Sequence, residues 1–161
     1  MKKICMELFS LLKKNGLCLA TAESCTGGLV AKTITDVSGA SEFFLGGVVS
    51  YQNDIKINVL GVSKSTIDAY SEVSFSCAEE MALGICKTMG SNIGISTTGY
   101  AGPTGGTEKD PVGTVYIGIA VNGDVSSHRL SLGKGLSRDK IRKGATKALL
   151  LRLLEKIKEK Y

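Results

Sequence analysis

The chain has 161 residues, 43% of them hydrophobic and 22% charged, with two prolines. This size and composition suit one globular domain over residues 1–161 with its own core, and they exclude a disordered or fibrous chain. The net charge of +5 admits a nucleic-acid or a small anionic partner; the lysines gather on two amphipathic terminal helices without interleaved aromatics, so no nucleic-acid partner is expected.

In chain order, Ile4, Leu8, Leu11 and Leu12 recur at helical spacing and predict a helix over 3–15, with Gly16 as its C-cap. Residues 17–22 read as a short buried strand, 23–28 as a turn, and about 27–36 as a second helix. Residues 45–51 read as a strand and 53–60 as a helical turn. Ser74 or Ser76 caps a helix over 74–89, with Glu79 and Glu80 near its start. A strand over 92–98 runs into a glycine-rich loop over 99–113. Residues 114–121 are strongly β, Asn122-Gly123 is a hairpin turn, and 124–131 is its antiparallel partner. Ser137 caps a terminal helix over 137–160. Alternating helices and strands with one hairpin give a three-layer α/β/α sandwich with a mixed sheet.

The five cysteines are odd in number and form no CxxC, and there is one histidine. They therefore read as reduced thiols, and neither a metal nor another cofactor is called for. Glu7 and the Lys13-Lys14 pair break any resemblance to a signal peptide, and no apolar run is long enough to cross a membrane. A cytoplasmic protein without a membrane partner is expected. Exposed apolar residues in the first helix or the 124–131 strand offer a surface for a homodimer.

Four segments combine reactive side chains with strand ends. In Ala22-Glu23-Ser24-Cys25-Thr26-Gly27-Gly28 a hydroxyl stands where a strand ends and a helix begins, beside amides able to hold an oxyanion. Ser24 or Thr26 acting merely as a helix cap explains the same residues. In Tyr51-Gln52-Asn53-Asp54-Ile55-Lys56 three polar side chains follow a strand. A desolvated Lys56 there would serve as base to Ser24, and a solvated lysine is the plainer alternative. The run from Thr97 to Thr107, with Gly99, Gly102 and Gly105, reads as an anion nest or as a plain long loop. Arg138 and Arg142 share a helix face and suit a phosphate, although surface charge with an Asp139–Lys143 pair accounts for them too. Ser10-Leu11-Leu12-Lys13 matches S-x-x-K only by chance, inside an amphipathic helix.

Together, T-A-E-S-C-T-G-G at 21–28, S-Y-Q-N-D-I-K at 50–56, T-G-Y-A-G-P-T-G-G at 98–106, P-V-G-T-V at 111–115 and R-D-K-I-R at 138–142 resemble the CinA C-terminal domain family. The stand-alone members of that family are nicotinamide-nucleotide amidases. The resemblance implies an anticodon-binding-domain-like fold. It also implies hydrolysis of nicotinamide mononucleotide to nicotinate mononucleotide and ammonia, in pyridine nucleotide recycling. It further implies a serine–lysine mechanism carried by Ser24 and Lys56, with Thr98 and Arg142 at the reacting or phosphate groups. The substrate site expected around the pair comprises Cys25, Thr26, Gly27, Tyr51, Asn53, Thr98, Gly99, Gly102, Gly105 and Arg142. The amides of residues 25–27 would hold the oxyanion, and the 99–107 loop would hold the phosphate.

Overall fold

A computed structural model describes residues 1–133 and 135–161. The elements are α1 (Lys2–Lys14), β1 (Leu19–Glu23), α2 (Leu29–Thr35), a 3-10 turn (Ala40–Glu42), β2 (Phe44–Val49), α3 (Asn53–Leu60), α4 (Lys64–Tyr70), α5 (Phe75–Met89), β3 (Ile93–Gly99), β4 (Thr114–Val121), β5 (Asp124–Ser131) and α6 (Arg138–Lys160). The sheet order is β2-β1-β3-β4-β5. β2, β1 and β3 run parallel, while β3–β4 and β4–β5 pair antiparallel. The sheet is therefore mixed, as its sequence predicts.

Period-2 alternation divides the strands between two cores. Leu19, Ile93, Ile95, Val115, Ile117, Ile119 and Val121 face α1, α2 and α6, where Leu8, Leu12, Val30, Ile34, Ile141, Leu149 and Leu153 meet them. Ala20 and Ala22 face the other way, onto Leu60, Cys77, Met81 and Ile85. On that second face α5 lies unusually close to the sheet. A Cβ at Gly94 would collide with the Ala82 carbonyl, and one at Gly118 with the Ala78 carbonyl. Ser96 between them donates its hydroxyl to the Ala78 carbonyl at 2.5 Å.

The elements depart from the expectations in several places, and β2 ends at Val49, two residues short of the expected 51. β1 and β3 each run one residue further than predicted at their ends, because Glu23 still pairs with Thr97 and Gly99 with Val115, and the Ser24 amide donates to Thr97 O at 2.9 Å. α2 starts only at Leu29, since Gly27 and Gly28 take left-handed φ of 62° and 95° and lengthen the turn. The seven-residue α4 is absent from the sequence reading. Its anchor comes from α5: Glu80 accepts from the Ser63 amide at 2.7 Å and from Thr66 Oγ1 at 2.5 Å. Ser74 and Ser137 do cap α5 and α6, accepting from Cys77 and Lys140 amides. Among the described residues no helix is long and apolar enough to cross a membrane.

Candidate active site

The parallel strands all end on one edge of the sheet, and the strand order reverses between β1 and β3, with β2 laid on one side of β1 and β3 on the other. Ligands in open α/β sheets bind at such a switch point, outside the carboxyl ends of the strands. Ser24 follows β1 there, Ser50 and Tyr51 follow β2, and Thr98 and Gly99 close β3.

Glu23 builds the turn that presents Ser24. Its carboxylate, 2% exposed, accepts from the amides of Gly28, Val30 and Ala31 at 2.9, 3.0 and 2.8 Å and from Thr26 Oγ1 at 2.7 Å. The first turn of α2 is thus capped by a carboxylate from the preceding strand. Its amides are spent on Glu23 and are unavailable to a ligand. Thr26 is equally committed: its hydroxyl also bonds Thr97 Oγ1 at 2.7 Å, and the residue is buried. Sequence reasoning passed over Glu23, although an acid just before a Ser-x-x-Gly turn at a helix start was a legible signal.

Lys56 is 1% exposed. α3 carries it one turn in from Gln52, whose carbonyl accepts the Lys56 amide. Its Nζ donates to Ser50 O at 2.9 Å and to Ser24 Oγ at 3.3 Å. Burial lowers its pKa from the ordinary 10.5, against the nearby Cys77, Glu72 and Cys25. The two thiols oppose it only as thiolates. Burial pushes each of them up to about 12, so both are neutral near pH 7 and Glu72 is the anion that acts on Lys56. A buried amine with a depressed pKa, held by one carbonyl and touching one hydroxyl, is equipped to take a proton from that hydroxyl. Cys25, buried and held protonated, is not equipped as a nucleophile.

A pocket of about 270 Å³ opens over this pair. Of the predicted residues, Cys25, Tyr51, Asn53, Thr98 and Gly99 line it with Ser24 and Lys56. Thr26, Gly27, Gly102, Gly105 and Arg142 do not. Thr26, Gly27 and Arg142 flank a separate shallow groove behind the turn. The loop contributes only Gly99, Tyr100 and Ala101 to the pocket, because its far part is pinned elsewhere: Asp110 accepts from Tyr116 and Arg129, each at 2.9 Å. Gly105 packs near the Tyr100 ring instead. The loop is therefore not an anion nest over the serine.

The arginine that faces the pocket is Arg138, donating to Gly102 O at 2.6 Å and to the Tyr51 hydroxyl at 2.8 Å. Arg142 donates from Nε to Cys25 O at 2.8 Å. In a trans peptide the C=O and the following N–H point opposite ways, so this bond fixes the Thr26 amide pointing away from Arg142. Of the three amides expected to hold an oxyanion, that of Gly27 already donates to Ser24 O at 3.1 Å. Among the described residues, those of Cys25 and Thr26 have no partner. Glu72 and Val73, from the link between α4 and α5, also line the pocket, as do Gln52, Tyr100 and Ala101. Nothing local in the sequence marks Glu72. It reaches the site because Thr98 Oγ1 donates to its carbonyl at 2.6 Å.

A wider groove of about 540 Å³ between β5 and α6 contains a second serine–lysine contact, Lys156 Nζ to Ser126 Oγ at 3.1 Å. There the lysine is ion-paired with the exposed Asp124 at 3.1 Å, whereas Lys56 is buried and in no salt bridge among the described residues. The same groove holds His128, whose pKa burial lowers. Among the described residues no three His, Cys, Asp or Glu side chains gather as a metal set.

The model of the CinA C-terminal domain matches residues 1–157. A CinA-like protein of Kosmotoga olearia is 51% identical over 136 residues, covering 84% of this chain and 32% of its own length. The chain thus spans about a third of the length of the curated relatives it matches. Among solved structures, the competence damage-inducible protein A (ComA) of Klebsiella pneumoniae superposes with a TM-score of 0.92 at 33% identity, over 97% of this chain and 96% of that one. The competence/damage inducible protein CihA of Agrobacterium tumefaciens gives 0.92 at 34% identity, over 96% and 93%.

Proposed function

This chain belongs to the CinA C-terminal domain family, and on that premise we propose that it is an amidohydrolase that converts nicotinamide mononucleotide to nicotinate mononucleotide and ammonia through a Ser24 acyl-enzyme. The observation that carries the reading is the buried Lys56 amine 3.3 Å from Ser24 Oγ, on the ligand-binding edge of the sheet.

In this mechanism neutral Lys56 takes the Ser24 proton as Oγ attacks the carboxamide carbon. The free amide of Cys25, which lines the pocket beside Ser24, holds the oxyanion that forms. Collapse breaks the C–N bond, and Lys56 returns its proton to the leaving ammonia. Lys56 then takes a proton from water, which cleaves the ester and releases the carboxylate product and Ser24. Arg138, braced by Tyr51 and Gly102, holds the 5′-phosphate. Its binding energy orients the amide at a distance from the reacting carbon.

The test is ammonia release from nicotinamide mononucleotide by the native chain and three variants. Ser24→Ala and Lys56→Ala lose activity by about a thousandfold or more, as removal of a nucleophile or its base does in comparable hydrolases. Cys25→Ala keeps it. Tight nucleotide binding without ammonia release would instead make the domain a nucleotide-binding regulatory module.

A further inference from the structure

The pocket holds one acid, Glu72, beside two basic side chains, Lys56 and Arg138. Lys56 is committed to Ser24 and Ser50, and Arg138 to Tyr51 and Gly102. Among the described residues Glu72 forms no salt bridge, and its carboxylate accepts only from Ser71 Oγ, at 3.1 Å. Its placement is nevertheless fixed. Thr98 Oγ1 holds its carbonyl at 2.6 Å, and the Val73 amide donates to Ser71 Oγ at 3.2 Å. Ser71 itself adopts a φ of 74°, a left-handed conformation that disfavours a residue with a Cβ. A carboxylate left unpaired in the wall of a pocket repels a purely anionic ligand. It becomes useful when the ligand carries a positive charge as well.

The substrate proposed above carries one. Attachment of ribose to the ring nitrogen makes the pyridine a permanent cation with no N–H to donate. We propose that Glu72 is a specificity-determining residue that selects the cationic N-substituted pyridinium ring, while Arg138 takes the phosphate at the other end of the same ligand. This inference rests on the amidohydrolase reading and deepens it. Because a quaternary nitrogen offers no hydrogen bond, the selection acts through charge. The neutral 1,4-dihydro form of the mononucleotide has nearly the same size and the same amide, ribose and phosphate groups, so it isolates that charge.

The experiment titrates both forms calorimetrically into Ser24→Ala, which binds without turnover, and into the same protein carrying Glu72→Gln or Glu72→Asp. The Ser24→Ala protein prefers the oxidised, cationic form by about tenfold or more. Glu72→Gln collapses that preference to within about twofold by weakening only the cationic form. Glu72→Asp retains most of it, and unchanged melting curves show that the variants fold. Equal weakening of both forms, as loss of a ribose hydrogen bond or of local structure would give, overturns the assignment. So does an unchanged preference, or failure of the cationic form to bind. Ammonia release by the native chain separates the two levels. Release with an unchanged preference removes Glu72 alone, whereas no release removes the amidohydrolase reading.

Discussion

The residue that carries the most consequence is Lys56. Its amine is needed neutral, and burial has already lowered its pKa below 10.5. Activity should therefore rise with pH on a single limb that lies below the ordinary lysine range and fall as acid protonates the amine. Glu72 opposes the shift, so Glu72→Gln moves that limb to lower pH; a pH–rate profile of kcat/KM checks both. The same burial has a stability sign. The unfolded chain binds this proton up to about pH 10.5 and the folded chain releases it earlier, so the Lys56 contribution to stability grows as pH rises between the two values. Lys56→Met, apolar and of similar length, should abolish activity yet stabilise the fold by about 1 kcal/mol, a Tm rise of roughly 2–4 °C. A melt at two pH values measures it. The two arginines should separate kinetically. Arg138→Ala raises KM by about tenfold or more for the phosphorylated substrate, since a charge-assisted bond is lost. Arg142→Ala acts through the Cys25–Thr26 peptide it holds, so it lowers kcat with little change in KM.

Among the elements, α2 is the one whose stability is borrowed. It has seven residues and no side-chain cap of its own, and its first amides are taken by Glu23 from β1. Glu23→Ala should cost about 3 kcal/mol through loss of buried, charge-assisted bonds and should slacken the turn bearing Ser24. Urea denaturation gives the first effect, and a parallel fall in ammonia release gives the second. α4 likewise depends on Glu80 of α5. It was illegible in the sequence because its stabilising partner lies 14 residues or more away. The glycine-rich loop misled for the converse reason. Its local composition reads as an anion nest, but Asp110, Tyr116 and Arg129 hold its far half away from the serine.

For the whole molecule, the parallel order β2-β1-β3 collects the ends of three strands on one edge and brings Ser24 and Lys56 together, 32 residues apart in the chain. α5 presses against the opposite face closely enough to require Gly94 and Gly118. The antiparallel β4–β5 hairpin completes the sheet and supplies Tyr116 and Arg129, which anchor the loop. A mixed sheet between two helical layers was legible because alternation, helical spacing and turn residues are local signals repeated along every element. The hairpin at Asn122-Gly123 was legible for the same reason, since both φ values are positive, 51° and 82°.

By itself, the sequence determined every element but α4, the layer architecture, and Ser24 and Lys56 as nucleophile and base candidates, because each rests on residue type and near-neighbour spacing. Tertiary structure alone decided that Lys56 is buried and aimed at Ser24 Oγ. It decided that Glu23 consumes the α2 amides, that Arg138 rather than Arg142 faces the pocket, and that Glu72 enters the wall. Each of these depends on how far apart two segments lie after packing and on which side chains lose water when they meet. Burial and direction of that kind arise between elements, so no spacing within one of them encodes it.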